Sequence, residues 1–326
     1  MKNVSQNKQA ASTRKLTQWA AGMALGTSLL VAGAANAADC QNVRFSDVGW
    51  TDITATTAIT SEIVKALGYT PSTQLLSVPV TYTSLANGDI DVFLGNWMPT
   101  MDADIAPYLK AGTVETVRAN LEGAKYTLAV PAYVYDAGVH SFADIVKFQD
   151  KFKDRLYGIE PGNDGNRLIQ SMIDDNAFDL KEFSLVESSE AGMMSQVSRA
   201  VRRNEWIVFL GWEPHPMNAN FDLKYLEGGD DFFGPNFGGA SVHTNVAKGY
   251  TQACPNMGKL LANLEFTLVL ENEVMGSILD DKKKPEIAAR EWLQANTTVL
   301  SQWLDGVTTL DGTQSAEVAV LEYLHK

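Results

Sequence analysis

Hydrophobic residues along the first part of the chain alternate between short continuous runs and stretches of helical spacing. Residues 42–49 form a β-rich run, and apolar residues then recur at every fourth position from Ala55 through Ile59 and Ile63 to Leu67. Such spacing places apolar side chains on one face of a helix, and Gly68 is a suitable residue to follow its end. The pattern predicts a strand followed by an amphipathic helix.

The same alternation continues toward the C-terminus and begins again after residue 125. It predicts further strands at 74–80, 89–94, 126–135, 156–160 and 206–210. It predicts helices at 81–87, 141–152, 166–175 and 191–203, and a mostly helical chain after about residue 254. Alternating strands and helices indicate an α/β fold with a largely parallel sheet.

Two segments of the chain resemble each other. Residues 92–99 have the sequence VFLGNWMP, and residues 208–214 have the sequence VFLGWEP. Each is predicted to be a buried strand that ends in glycine and is followed by a tryptophan, Trp97 or Trp212, while Trp50 follows the first strand. Ligands of open parallel sheets bind at the carboxyl ends of the strands, so these three are candidate binding residues. Core packing is the alternative for each, and it is the preferred interpretation for Trp206, Trp292 and Trp303.

Charge narrows the range of partners. The 326 residues include 26 Lys and Arg against 39 Asp and Glu, a net charge of −13. An acidic chain repels a phosphate backbone, so nucleic acid is not an expected partner. Cationic small molecules are the ligands that this charge favours.

Residues 1–37 have the organisation of a secretory signal peptide. Basic residues precede an uncharged run at 19–32, and Ala35-Asn36-Ala37 provides a cleavage site. A membrane anchor is the alternative, but the uncharged run is shorter than the roughly 20 apolar residues that a spanning helix needs. Asp39 before Cys40 does not suit a lipoprotein signal. We therefore expect a soluble protein exported to the periplasm.

Cys40 and Cys254 are the two cysteines of the chain. An even pair in an oxidising compartment most simply forms a disulfide, with two buried free thiols as the alternative. A bond between them would tie the mature N-terminus to the last part of the chain.

The sequence lacks the common motifs of enzymes and metal sites. The sequence contains no G-x-S-x-G, Walker, H-E-x-x-H or G-x-G-x-x-G motif, and its four histidines lack the spacing of metal ligands. His215 lies near Trp212, but a hydrogen-bonded loop histidine is the preferred interpretation. The glycine-rich segment 162–166 lacks the Lys of a P-loop, so it is interpreted as a tight turn that exposes Asn163.

These features together resemble the periplasmic substrate-binding proteins of quaternary-amine ABC transporters, and most closely the choline-binding members. The segments that carry the resemblance are GWTD at 49–52, GNWMP at 95–99, PGND at 161–164 and GWEP at 211–214. The resemblance implies a two-lobed α/β fold in which each lobe is a mostly parallel sheet flanked by helices, with the ligand in the cleft between them. It places lobe I at 39–123 and 232–326 and lobe II at 124–231.

The resemblance also implies the site residues. An aromatic box around a trimethylammonium group is expected from Trp50, Trp97, Tyr126 and Trp212. Asp52 and Asn163 are expected to reach the ligand hydroxyl, and Cys40 and Cys254 to form a disulfide. No cofactor or metal is implied. Capping of the following helix is the alternative role for Asp52.

The function that follows is delivery of choline to an inner-membrane permease by a monomeric, non-enzymatic binding protein. A quaternary ammonium has no N–H to donate, so aromatic faces are the groups suited to hold it. A binding protein that prefers glycine betaine is one alternative. An exported choline-ester hydrolase is another, which the absence of a nucleophile elbow disfavours.

Overall fold

The computed structural model of the protein describes residues 39–326, so the predicted signal peptide at 1–37 lies outside the described residues. Nine strands form one mixed sheet within this range. They are β1 Asn42–Asp47, β2 Thr70–Leu75, β3 Val92–Met98, β4 Val114–Pro131, β5 Arg155–Tyr157, β6 Ser184–Val186, β7 Phe209–Glu213, β8 Leu223–Tyr225 and β9 Gly239–Ala247.

Helices flank this sheet. Those of nine residues or more in the described chain are α1 Thr51–Ala66, α2 Val78–Asn87, α3 Asp102–Ala111, α4 Asp164–Asp174, α5 Glu190–Arg203, α6 Pro255–Asn263, α7 Leu268–Leu279, α8 Pro285–Ala295 and α9 Ala316–Leu324. Short helical turns lie at Ala132–Tyr135, Phe142–Ile145, Val146–Phe148, Gln149–Phe152, Ala177–Asp179, Met217–Asn220, Asp230–Phe233, Pro235–Gly238, Tyr250–Ala253, Thr297–Val299 and Leu300–Trp303. None of the helices in residues 39–326 combines the length and the hydrophobicity that crossing a membrane requires.

The strand order shows how two parallel halves are joined. The order is β2-β1-β3-β9-β4-β7-β5-β6, with β8 paired to β4. Strands β2, β1 and β3 are parallel to one another, and so are β6, β5 and β7. Strands β9 and β4 lie between these halves and pair antiparallel with their neighbours. The predicted parallel α/β architecture is therefore present in each half.

The long strand β4 serves both halves of the sheet. Its first part pairs with β9, from Val114 opposite Ala247 to Lys125 opposite Gly239. From Lys125 onward it pairs with β7, and at its end with β8. The register of β4 against β9 shifts three times, the last between Leu121 and Ala124. The predicted lobe boundary at 123/124 falls at this last irregularity, and it stays a prediction.

The first predicted helix is observed, and its apolar stripe is buried. Ala55, Ile59, Ile63 and Leu67 are each at most 1% exposed. Helix α1 begins at Thr51, earlier than the stripe alone indicates. It packs closely on the sheet because residue 95 is glycine: a Cβ at Gly95 would lie 2.7 Å from the side chain of Ile53. The glycine of the repeated VFLG segment therefore permits close helix packing on β3.

Several predicted strands were wrong in extent. The strands predicted at 89–94, 156–160 and 206–210 are observed at Val92–Met98, Arg155–Tyr157 and Phe209–Glu213. The strand predicted at 74–80 is observed at Thr70–Leu75, because Val78 and Pro79 begin α2, where proline is compatible with a first helical turn. The strand predicted at 126–135 ends at Pro131 and begins at Val114. The polar, partly exposed first part of β4 gave no hydrophobic signal, and β9 was also missed.

The tryptophans assigned to the core are in apolar clusters. Trp303 is 1% exposed and lies 6.3 Å from Trp292, ring centroid to ring centroid. Trp206 packs against Phe148 and Phe152 at 5.0 and 5.4 Å. The prediction that Trp206 begins a strand was wrong, because the observed strand β7 starts at Phe209.

The predicted disulfide between Cys40 and Cys254 is confirmed, with the two Cα atoms 5.5 Å apart. The bond joins the start of the described chain to the segment just before α6. It closes a loop of 214 positions and lies outside the cavity described below.

Removal of this disulfide is expected to lower stability and to leave ligand affinity unchanged. Closing so long a loop restricts the unfolded chain by up to about 4 to 5 kcal/mol in the chain-entropy model. The paired change Cys40→Ala and Cys254→Ala should therefore lower the melting temperature measured by circular dichroism. A double variant with the wild-type melting temperature would contradict this expectation.

Candidate ligand-binding site

One cavity of about 260 Å³ lies between the two halves of the sheet. This is slightly below the roughly 300 to 1,000 Å³ of pockets for drug-sized ligands, so it suits a smaller molecule. Its lining residues are Trp50, Asp52, Trp97, Tyr126, Ile159, Asn163, Asp164 and Trp212. The structure thus brings together all six residues predicted from the sequence and adds Ile159 and Asp164.

Strand ends and helix starts position these side chains. Trp50 and Asp52 lie where β1 leads into α1, and Asn163 lies directly before α4. Trp97 and Trp212 lie near the ends of β3 and β7. The prediction that these two tryptophans follow their strands was wrong, since each is a strand residue. The peptide bonds Met98–Pro99 and Glu213–Pro214 just beyond them are both cis.

The four aromatic side chains are buried, and the ring of Tyr126 packs against those of two others. Trp50, Trp97, Tyr126 and Trp212 are each 4 to 5% exposed. The ring centroid of Tyr126 lies 5.9 Å from that of Trp97 and 6.4 Å from that of Trp212. The tilted and edge-on orientations of these pairs leave the rings at different angles around a shared space, rather than stacked against each other.

Acidic and amide side chains hold the polar edges of three rings. The indole N–H of Trp50 donates to Glu160 Oε1 at 2.8 Å. The indole N–H of Trp97 donates to Asp52 Oδ2 at 3.0 Å, and the hydroxyl of Tyr126 donates to Asn163 Oδ1 at 2.9 Å. These hydrogen bonds fix the ring planes, because each indole or phenol has one donor and that donor is used.

Asp52 has one carboxylate oxygen without a hydrogen-bond partner among residues 39–326. Oδ2 accepts from Trp97, whereas the buried Oδ1 has none. The alternative role as a helix cap was wrong, since Trp50 occupies the N-cap position and Asp52 lies inside α1. Burial, together with the nearby charge of Glu190, raises the pKa of Asp52 to about 8.

Asp164 is a second carboxylate of the same kind, which the sequence analysis did not assign to the site. Its Oδ1 accepts from Asn163 Nδ2 at 3.1 Å, and its buried Oδ2 lacks a partner in the described chain. Burial raises the pKa of Asp164 to about 6 and that of Glu160 to about 7. Glu160 directly precedes the PGND segment and Asp164 ends it, so this segment was the sequence signal that could have identified both residues.

Asn163 also stabilises the local structure, a role that was not predicted. Its Oδ1 caps α4 by accepting the backbone N–H of Asn166 at 3.0 Å, in addition to the hydroxyl of Tyr126. The turn brings Tyr126 so close that a Cβ at Gly165 would overlap its hydroxyl. Glycine at 165 is therefore required for this packing. Contact between Asn163 and a ligand stays a prediction.

His215 is a buried, hydrogen-bonded loop histidine, in agreement with the preferred interpretation of its sequence position. Its Nδ1 accepts the backbone N–H of Met217 at 2.9 Å, and its Nε2 lies 3.1 Å from Glu190 Oε1. It is outside the set of cavity-lining residues. The described residues contain no cluster of His, Cys, Asp and Glu with the geometry to hold a metal ion.

The fold and the cavity between its halves define a binding protein of the two-lobed α/β class. The family described as the substrate-binding domain of ABC-type glycine betaine transport systems matches residues 41–295. The chain belongs to this family of transport binding proteins.

Solved structures support the same assignment. An ABC-transporter choline-binding protein in complex with choline is 61% identical, over 87% of this chain and 98% of its own, with a TM-score of 0.86. One in an unliganded semi-closed conformation is also 61% identical, over 88% and 99% of the two chains, with a TM-score of 0.81. The predicted two-lobed fold is thereby confirmed.

A curated relative from Listeria monocytogenes serotype 1/2a (strain 10403S) is the glycine betaine/carnitine transport binding protein GbuC. It is 33% identical over 157 residues, which are 48% of this chain and 51% of GbuC. The match thus spans about half the length of that relative.

Replacement of Asp52 by Asn is expected to stabilise the ligand-free protein, increasingly so toward alkaline pH. A carboxyl with a pKa of about 8 when folded and about 3.9 when unfolded holds its proton in the folded state. Its contribution to stability is therefore present at low pH and is lost as pH rises from about 4 to about 8. Asn still accepts from Trp97 but has no charge to bury.

The measurement is the melting temperature at about pH 5 and about pH 8, on protein freed of ligand by unfolding and refolding. The gain of Asp52→Asn over wild type should be larger at the higher pH. Exposed Asp89, replaced by Asn, is the control. Equal gains at both pH values would contradict the assignment of a raised pKa to Asp52.

Proposed function

We propose that this protein binds choline, or a closely related quaternary amine, as the periplasmic substrate-binding component of an ABC importer. The observation that carries the proposal is the composition of the cavity. Four buried aromatic side chains line it together with two buried carboxylates, each of which has an oxygen without a partner within residues 39–326. This combination has the chemistry to hold a quaternary ammonium group, which has no N–H to donate.

Aromatic faces attract such a cation through their quadrupoles, and their carbon surface covers its methyl groups. A desolvated cation–π contact contributes about 0.5 to 2 kcal/mol. Four of them, together with burial of three methyl groups, are sufficient for micromolar binding, roughly −8 kcal/mol, after the costs of association.

The carboxylates favour choline over glycine betaine. Both ligands carry the same trimethylammonium group, so the aromatic residues do not distinguish them. A bound trimethylammonium group favours the ionised form of Asp52. Choline ends in a hydroxyl, which can then donate to Asp52 Oδ1, whereas betaine ends in a carboxylate, which ionised Asp52 and Asp164 would repel. The 61% identity to a protein solved with choline supports this preference, and the match to the betaine family keeps betaine as the alternative.

The candidate site residues come from both proposed lobes, as expected for a protein whose lobes close on the ligand. Trp50, Asp52 and Trp97 belong to the proposed lobe at 39–123 and 232–326. Tyr126, Asn163 and Trp212 belong to the proposed lobe at 124–231. A ligand that contacts both sets stabilises the closed arrangement. A monomer that presents this closed state to inner-membrane permease subunits, without catalysing a reaction, is the role that we propose.

Calorimetric titration with choline, betaine and carnitine tests the proposal. We expect choline to bind in the micromolar range or tighter and more tightly than betaine. Trp50→Ala, Trp97→Ala and Trp212→Ala should each weaken choline binding by about 2 kcal/mol or more, as loss of a buried aromatic anchor does. Trp292→Ala is the matched control and should lower the melting temperature instead. Wild-type protein that binds none of these amines would overturn the proposal.

Selectivity is expected to depend on the charge of Asp52. Asp52→Asn should lower the ratio of choline to betaine affinity, because the variant weakens an ionic hydrogen bond to the choline hydroxyl and removes repulsion of the betaine carboxylate. The two dissociation constants, measured by titration for variant and wild type, give this ratio. An unchanged ratio would contradict a role for Asp52 in choosing between the ligands.

A further inference from the structure

Glu190, the first residue of α5, is buried and accepts three hydrogen bonds, although it does not line the cavity. Its Oε2 accepts the backbone N–H of Thr51 at 2.8 Å. Its Oε1 accepts the hydroxyl of Thr51 at 2.6 Å and faces His215 Nε2 at 3.1 Å. Because His215 Nδ1 already accepts from the backbone, its Nε2 carries the hydrogen and donates to Glu190.

These partners connect Glu190 to ligand-binding residues on both sides of the cavity. Thr51 lies between Trp50 and Asp52 in the chain. His215 packs against Trp212, with ring centroids 4.7 Å apart. One carboxylate thus joins the segment that carries two candidate ligand residues to the loop residue His215, which packs against a third.

The N-terminus of helix α1 has no capping side chain from its own segment, and Glu190 caps it instead. The residue before the helix is Trp50, whose side chain makes no capping hydrogen bond. The first backbone N–H of the helix, that of Thr51, is instead paired with a carboxylate 139 positions later in the chain. A negative charge at a helix N-terminus is favourable, so this contact satisfies both the donor and the helix dipole.

We infer that Glu190 is a positioning residue that holds the closed, ligand-bound arrangement of the site without touching the ligand. The inference rests on the proposed function, since Thr51 and Glu190 belong to the two different proposed lobes. Separation of the lobes would break the contacts to Thr51 and expose the start of α1. Glu190 therefore acts after the ligand has entered, by slowing reopening.

An ion pair also joins the two proposed lobes, but it is more exposed than the contacts of Glu190. Arg167 donates to both carboxylate oxygens of Asp104 at 2.9 Å and to the carbonyl of Thr100 at 3.0 Å, but its side chain is 39% exposed. Exposed ion pairs contribute little because water and salt screen them. The buried contacts of Glu190 are the ones expected to dominate.

The change Glu190→Gln tests the inference with almost no change of shape. Either orientation of the amide places its NH₂ group against a donor, the N–H of Thr51 or that of His215. Loss of one such hydrogen bond is expected to make choline dissociate about tenfold faster, while the association rate stays within about twofold. Stopped-flow tryptophan fluorescence gives both rates, and titration calorimetry gives the dissociation constant.

Variants of Thr51 provide the matched comparison. Thr51→Val removes the hydroxyl donor and should also speed release, whereas Thr51→Ser keeps it and should release choline at about the wild-type rate. The double variant Glu190→Gln with Thr51→Val should show less than the sum of the two single effects, because both break one contact. Exposed Glu182, replaced by Gln, is the control for a charge change in the same part of the chain.

The outcomes separate this inference from the proposed function. Release at the wild-type rate from Glu190→Gln overturns the positioning role and leaves choline binding intact. Slower association together with a lower ligand-free melting temperature also overturns it, because Glu190 would then be needed to fold the site. Wild-type protein that does not bind choline overturns the proposed function, and this inference with it.

Discussion

Burial of negative charge is the constraint on which the site depends. Asp52 and Asp164 lie in an aromatic cavity, and each has one oxygen that no group in residues 39–326 satisfies. A buried carboxylate without a partner is costly, and the raised pKa values of both residues express that cost. A cation in the cavity would remove the penalty. The site is therefore unfavourable when empty, which gives a cationic ligand an advantage that neutral molecules lack.

The carboxylates and aromatic residues of the cavity come from two parts of the chain. Strands β1 and β3 with α1 bring Asp52, Trp50 and Trp97 to one side, while β7 and α4 bring Trp212 and Asp164 to the other. Only β4 and β9 run between the two parallel halves of the described sheet. Neither half alone encloses the cavity, so exclusion of water from the carboxylates requires both. In the proposed function, the free energy of ligand binding is consequently coupled to that of lobe closure.

Much of this arrangement was predictable because strong local patterns specify it. The buried runs before Trp97 and Trp212 and the stripe of α1 identified the parallel strands, the first helix and the aromatic residues. Resemblance to a known family then added Tyr126, Asp52 and Asn163. The first part of β4 and all of β9, which join the two halves of the sheet, were missed. The first part of β4 is polar and partly exposed, and β9 follows a glycine-rich segment. Their pairing depends on contacts between distant parts of the chain, which periodicity does not record.

The same limit applies to the groups around the ligand residues. Glu190 has no distinctive motif, and the PGND segment that contains Asp164 does not show that this carboxylate lines the cavity. Each is the first residue of its helix, and the fold alone brings Glu190 to the start of α1. A sequence pattern indicates which side chains are aromatic but not what their edges contact. Only the folded chain shows that Trp50 donates to Glu160 and Trp97 to Asp52.

Those edge contacts explain why acidic residues accompany the aromatic ones. An indole N–H that donates to a carboxylate is polarised by it, and hydrogen-bonded groups in a low-dielectric interior reinforce one another in this way. Polarisation toward the carboxylate leaves the ring face more negative, which strengthens its attraction for a cation. Asp52 thus acts twice, through its own charge and through the ring of Trp97. Glu160 does the same for Trp50 from the other half of the protein. In the proposed function, closure of the lobes would therefore complete both the geometry and the electrostatics of the cation site.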